Sequence, residues 1–221
     1  MFTHFVRSIS GLLIKMILET ICVGPYQVNC YILAQDNNNE AIIIDPGDEP
    51  DKIKRVLGRY KLKPGLIINT HGHIDHIGAD DAFGVCVYIH KDDLSFLSDP
   101  NLNLSGFLAS PLRITSSSIR TLEDREEIGL GKIKLQVLHT PGHTPGGICL
   151  LLKEPEEGIV FSGDTLFFQG VGRTDFPYAS SEQLKKSVKE RLFVLEEQTR
   201  VYPGHGPSTT IGQEKKSNPF L

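Results

Sequence analysis

A chain of 221 residues that is 39% hydrophobic and 23% charged is long enough to bury one large core and has the balance of a globular protein. A formal net charge of −4, without any lysine- or arginine-rich stripe, excludes an electrostatic nucleic-acid binder, and no stretch is apolar and long enough to cross a bilayer. Cys22, Cys30, Cys86 and Cys149 stand singly without a Cys-x-x-Cys pair, which predicts free, buried thiols in a reducing, cytoplasmic setting, with a Cys22–Cys30 approach across a hairpin left open.

Residues 1–15 carry Arg7, Lys15 and His4 but no acid, and read as an upstream start or a weak organelle-targeting leader. A single domain is expected over 16–221. Met16–Val23 and Cys30–Ala34 have strand character around a Gly24-Pro25 turn, and Ala41–Ile44 is a third strand ended by Asp45-Pro46-Gly47. Ile53, Val56 and Leu57 recur at helical spacing within 50–60. Leu66–Ile68 and Val85–Ile89 are strands, and Lys91–Leu97 is a short helix. Residues 98–120 interleave Pro, Ser, Asn and Gly with isolated Leu and Phe, which predicts a long loop of functional use. Ile133–Leu138, Gly147–Leu152 and Gly158–Phe161 return to strand character. Ser181–Leu195 is an amphipathic helix, with Ser180 or Ser181 as N-cap and Leu184, Val188, Leu192 and Leu195 on its core face. Val201 and Tyr202 end a last short strand. Two halves of strands and helices, with no GxGxxG turn, predict a layered sheet-on-sheet core rather than a dinucleotide fold.

The chemistry is concentrated in the loops that follow these strands. Residues 70–78 read Thr-His71-Gly-His73-Ile-Asp75-His76-Ile-Gly. Imidazole and carboxylate are zinc-type ligands, and crowding them is costly without a metal. His71 and His73 alternate across Gly72, so on an extended segment they share a side, while Asp75 and His76 project from the next turn. Three further strand-end loops each bring a candidate: His139-Thr-Pro-Gly-His143, Ser-Gly-Asp164-Thr and Pro-Gly-His205-Gly. Pro141 separates His139 from His143, which assigns His139 to structure or to support of the site. His90 lies outside any motif and reads as a surface residue. Gly146 and Gly147 read as serving chain geometry.

With these residues in view, the chain resembles the metallo-β-lactamase superfamily. The signature is H-x-H-x-D-H (His71, His73, Asp75, His76), followed by His143, Asp164 and His205 in the family's order, over about Met16 to Gly206. THGHIDHIGA, HTPGHTPGG, SGDTLF and GRTDFP look like its glyoxalase II-like (hydroxyacylglutathione hydrolase) group. The resemblance implies an α+β fold, a four-layer αββα sandwich with the site at one edge of the two sheets. It implies that His71, His73 and His143 hold one metal, that Asp75, His76 and His205 hold a second, and that Asp164 bridges them. The cofactors implied are two divalent ions, zinc before iron or manganese. Asp45 in IIDPG matches a position that supports the histidine loop from behind; a plain turn residue before proline is the alternative.

Two such ions ~3.5–4 Å apart lower the pKa of a shared water from near 16 towards roughly 7, and the metal-bridged hydroxide attacks an acyl carbonyl. Asp75 and Asp164 are then the catalytic carboxylates, with Asp75 orienting the hydroxide or accepting a proton. An alkyl thiolate, with a pKa of about 8.5, departs without a proton donor, which favours a small-molecule thioester over a lactam or peptide. The resemblance implies an S-(2-hydroxyacyl)glutathione, in particular S-D-lactoylglutathione. The longer enzymes of that group add a C-terminal helical domain that contacts glutathione, whereas this chain ends fifteen residues beyond Gly206. They carry Lys and Tyr after the Asp164 loop, where this chain has Gly172-Arg173-Thr174-Asp175-Phe176. Arg173 supplies a cation for a substrate carboxylate or a partner for Asp175. Residues 98–120 are a candidate for part of the missing lid. The competing readings are a mononuclear iron persulfide dioxygenase on the same fold, which needs only the first metal position with two histidines and the bridging aspartate, and a lactonase or other ester hydrolase.

Overall fold

Two β-sheets meet face to face in the computed structural model, which describes residues 3–9, 12–35, 39–155 and 158–221. The first sheet runs in the order β1 (Thr3–Ile9), β2 (Leu12–Val23), β3 (Val28–Gln35), β4 (Glu40–Ile44), β5 (Lys63–Ile68), β6 (Cys86–His90), β7 (Ile119–Leu122). Its neighbours are antiparallel up to β4 and parallel from β4 to β7. The change of direction follows from the connections: short turns join the early strands, whereas α1 (Pro50–Arg59) carries the chain back between β4 and β5. The second sheet is built from β8 (Glu127–Leu130), β9 (Ile133–His139), β10 (Ile148–Glu154) and β11 (Ile159–Gly163). A small ribbon of β12 (Leu166–Phe167) and β13 (Gly170–Val171) follows, and then β14 (Arg200–Pro203) and β15 (Thr209–Thr210) complete the order β15-β14-β11-β10-β9-β8.

Alternation along the strands makes the layers. Tyr31, Leu33, Ile42, Ile44 and Ile68 of the first sheet are buried against Leu135, Val137, Leu150 and Phe161 of the second. The opposite face of the first sheet, with Ile32, Ile43 and Ile67, packs on Ile53, Val56 and Leu57 of α1. The outer face of the second sheet, with Cys149, Val160 and Val201, is covered by Val188 and Leu192, which follow α3 (Ser181–Ser187), and by Ile211 of α4 (Ile211–Ser217). The result is the four-layer αββα sandwich of the α+β class that the resemblance implied.

Several boundaries differ from the sequence reading. The strand expected from Met16 begins at Leu12 and pairs with Thr3–Ile9, while residues 1, 2, 10 and 11 of the supposed leader lie outside the described residues. The Ser181 helix is regular only to Ser187; a π turn over Val188–Leu192 then widens the spiral, so Leu195 is only partly buried at the end of the apolar stripe. Its N-cap is Ser180, whose side chain accepts from the Gln183 amide. Residues 91–97 are a 3-10 segment rather than an α-helix. All four thiols are free; Cys30 and Cys149 are buried, Cys86 is half-buried and Cys22 is exposed, a departure from the expected burial.

Phe161 is fully buried between the sheets, 5.0 Å from the Tyr31 ring centroid. Phe161→Ala should lower the unfolding free energy by about 3–5 kcal/mol, seen as a reduced urea midpoint at unchanged slope.

Candidate metal centre

All the candidate side chains leave the carboxyl ends of strands on one edge of the sandwich. Asp45 follows β4; Thr70, His71 and His73 follow β5; and α2 (Ile74–Ile77) then presents Asp75 and His76. From the second sheet, His143 follows β9, Asp164 follows β11 and His205 follows β14. Some turns permit no side chain: a Cβ on Gly47 would lie 1.5 Å from the Asp75 carbonyl oxygen, and one on Gly204 would lie 2.3 Å from Asp164 Oδ1. These glycines let the loops of the two sheets close upon one another.

Two groups of ligand atoms result. His73 Nδ1 lies 3.0 Å from His71 Nε2 and 2.9 Å from His143 Nε2. On the other side, His205 Nε2 lies 3.4 Å from Asp75 Oδ2, and His76 Nε2 lies 3.9 Å from the same oxygen. Asp164 stands between the groups, with Oδ1 3.4 Å from His76 Nε2 and Oδ2 3.6 Å from both His143 Nε2 and His205 Nε2.

The far ring nitrogens explain this convergence. His143 Nδ1 donates to the Arg173 carbonyl at 2.7 Å, and His205 Nδ1 donates to the Tyr26 carbonyl at 3.1 Å. The Tyr178 hydroxyl donates to the Leu102 carbonyl at 3.0 Å and therefore accepts from His73 Nε2 at 2.7 Å. By the same logic Thr70 Oγ1 donates to Asp45 Oδ2 at 2.7 Å and accepts from His71 Nδ1 at 3.2 Å. His76 Nδ1 stands 2.9 Å from Asp45 Oδ2. With the outer nitrogens of His71, His73, His143 and His205 held as donors, the tautomer assigned to those four rings leaves the inner lone pair facing the centre.

Burial, then His76, His73 and His143, pushes His71 well below the ordinary histidine range, and burial with the nearby His143 pushes His73 down to about 3. Those rings favour the neutral state that ligates. His76 is buried too, yet Asp45, Asp164 and Asp75 hold its pKa well above the ordinary value. Asp164, despite its burial, is held below the usual carboxylate range by His76, His143 and His205. Both ring nitrogens of His76 and the Asp164 Oδ1 are buried without a hydrogen-bond partner. His71 and His73 held towards the neutral state, with His143 converging on them and carboxylates that demand positive charge beside them, fit divalent cations, and each trio lies within the span of a single ion's ligands.

The remaining expectations divide. Arg173 forms a two-pronged pair with Asp175 at 3.0 and 2.8 Å on the exposed rim, with its guanidinium 4.9 Å from the Phe176 ring centroid. It also lines the ≈ 340 Å³ cleft above the centre, with Tyr26, Ile74, Leu104, Phe167 and Phe176. His139 lies outside both trios and donates to the Pro145 carbonyl at 2.9 Å. His90 is not a surface residue: it is buried, stacks on His139 at 4.0 Å, and its Nδ1 accepts from the Asp92 amide. Sequence reasoning missed Tyr178 and Asp93. The buried Asp93 carboxylate accepts from the Gly72 and Gly146 amides at 3.0 and 2.6 Å, fastening the first histidine loop to the His143 loop. Burial pushes its pKa up to about 6.

Comparison with known proteins identifies the family of the chain. The model of the metallo-beta-lactamase superfamily matches residues 23–205. Hydroxyacylglutathione hydrolase GloC of Haemophilus influenzae is 38% identical over 219 residues, covering 93% of this chain and 98% of its own. The crystal structure of BLEG-1 B3 metallo-beta-lactamase aligns with a TM-score of 0.84 and 39% identity, over 93% of this chain and 99% of that one. TTHA1623, solved in a di-iron-bound form, aligns with a TM-score of 0.76 and 40% identity, over 92% and 100%.

Asp45→Asn keeps the size of the side chain but removes the charge behind Thr70 and His76. It should weaken metal binding by about 10- to 100-fold while leaving the circular dichroism of the fold unchanged, measured by competition with a chromophoric chelator.

Proposed function

The chain belongs to the metallo-beta-lactamase superfamily, and we propose that within this superfamily of metal-dependent hydrolases it is a dinuclear, glyoxalase II-type thioesterase. The substrate class we assign is an S-(2-hydroxyacyl)glutathione such as S-D-lactoylglutathione. The observation that carries the reading is the complete second trio of Asp75, His76 and His205 beside the first. A mononuclear oxygenase gives those three side chains no ligand role. The 38% identity to a hydroxyacylglutathione hydrolase supports the same choice.

Two bound divalent ions supply an activated water and polarise the carbonyl oxygen of the substrate. The chain's own groups do the rest. Asp75, with 20% of its side chain exposed against 11% for Asp164, is the more open of the two carboxylates lining the cleft, placed to orient the attacking water and accept its proton. Asp164 stands between the trios and fixes their separation. Arg173, whose guanidinium is 70% exposed, offers a cation to the carboxylate end of the thiol half, in exchange for Asp175. Of the histidines lining the cleft, His73, His143 and His205 each commit their N–H away from it. An amine leaving group requires a proton donor, whereas a thiolate with a pKa of about 8.5 departs without one.

Metal-loaded protein should release thiol from S-D-lactoylglutathione and consume no oxygen with glutathione persulfide. His76→Ala should lower thiol release on the order of 100-fold or more by removing a ligand of the second ion. Oxygen uptake without thioester cleavage would overturn the reading in favour of the persulfide dioxygenase.

A further inference from the structure

A second cleft of ≈ 300 Å³ opens beside the metal centre, walled by Val23, Pro25, Tyr26, Ile74, Leu108 and Leu112. It meets the first cleft at Tyr26, Ile74 and Asp75, so a molecule whose reacting carbonyl lies at Asp75 can extend into both. The two clefts differ in charge. Among the described residues, Arg173 is the one lysine or arginine lining the first cleft. Among the described residues the second has no basic side chain in its lining, and its charged residues are Asp48 and Asp75.

The far wall of this side cleft comes from the long segment after the first half of the fold, and it is fixed rather than loose. Asn103, buried, donates through Nδ2 to the carbonyls of Phe96 and Leu112 at 2.9 and 3.2 Å. Ser105 Oγ accepts from the Leu112 amide at 2.8 Å, and the Asn103 carbonyl accepts from the Ile74 amide at 2.9 Å. Leu112 and Ile74, both lining the cleft, are thus tied through one buried asparagine. Leu108 remains 45% exposed at the mouth, an apolar surface that gains by being covered.

We propose that this side cleft is the acyl pocket, and that it takes an uncharged aliphatic acyl chain of several carbons. The proposal rests on the thioesterase reading and, in place of the lactoyl group as the preferred acyl half, assigns a longer apolar one. The carboxylate-bearing thiol half lies on the Arg173 side, because a carboxylate in the side cleft would face Asp48 and Asp75 with no cation to pair it. In the reaction the water oxygen bonds to the acyl carbon and the C–S bond breaks with its electron pair on sulfur. One water proton ends on the thiol and the other in solvent, leaving a fatty carboxylate.

The test is a series of S-acylglutathiones (lactoyl, butanoyl, hexanoyl and octanoyl) hydrolysed by the metal-loaded protein, with calorimetric titration of hexanoate against lactate as a readout independent of turnover. We expect kcat/KM to rise by about fourfold per buried methylene until the cleft is filled, hexanoate to bind more tightly than lactate, and Leu108→Asp to flatten the chain-length dependence. Lactoyl hydrolysed as well as or better than hexanoyl would overturn the acyl pocket and leave the thioesterase standing. Tighter hexanoate binding with no thiol released from any member would support the pocket and sink the thioesterase.

Discussion

The site depends on one buried carboxylate. Asp45, 1% exposed at the end of β4, accepts the Thr70 amide and hydroxyl at 2.7 Å each and meets His76 Nδ1 at 2.9 Å. Its backbone is left-handed, with φ of 51°, a conformation that aspartate tolerates better than most side chains. Through Thr70 it sets the ring of His71, and directly it sets that of His76, one ligand from each trio. The two groups of ligands therefore share an anchor that lies behind them, away from the cleft.

Other contacts extend this anchoring across the sandwich. Asn29 donates to the carbonyls of Pro203 and Gly206, and the Tyr31 hydroxyl donates to that of Pro203, so the first sheet holds the His205 loop of the second. Asp93 does the same for the His143 loop. Such a frame resists the natural response of crowded rings, which is to swing apart. The histidines are kept close at a cost in burial and repulsion that bound cations offset, since metal ligation favours the neutral, convergent rings already present. Preorganisation of this kind makes metal affinity a property of the far ring nitrogens as much as of the near ones.

Much of this was legible in the sequence because the candidate ligands come in motifs. His71, His73, Asp75 and His76 are close in the chain, and the glycine-flanked His143, Asp164 and His205 each follow an apolar strand. Asp45 also ends a strand pattern, but that pattern alone marks it as a turn residue before proline, and its role behind the histidine loop came from the family resemblance. Tyr178 and Asp93 were not, because their partners are main-chain or distant groups: Tyr178 acts across 105 residues on His73, and Asp93 accepts two amides whose direction no residue type reveals. His90 was misread because a histidine outside any motif carries no sign of the His139 ring stacked on it. In the fold, most of the apolar strands were found, while the short β7, β8, β12, β13 and β15 were not, since two to four residues carry too little periodicity, and β1 (Thr3–Ile9) was read as part of a leader. The π turn after Ser187 leaves Val188 and Leu192 buried, so the helical pattern concealed it.

The central claim is that one frame holds two ions side by side, and anomalous X-ray scattering from crystals of the metal-loaded protein, together with elemental analysis, tests it most directly. The account predicts two ions per chain: one bounded by His71, His73 and His143, the other by Asp75, His76 and His205, with Asp164 touching both. A single ion at the first position under saturating metal, with His76 Nε2 left without a ligand, would contradict it.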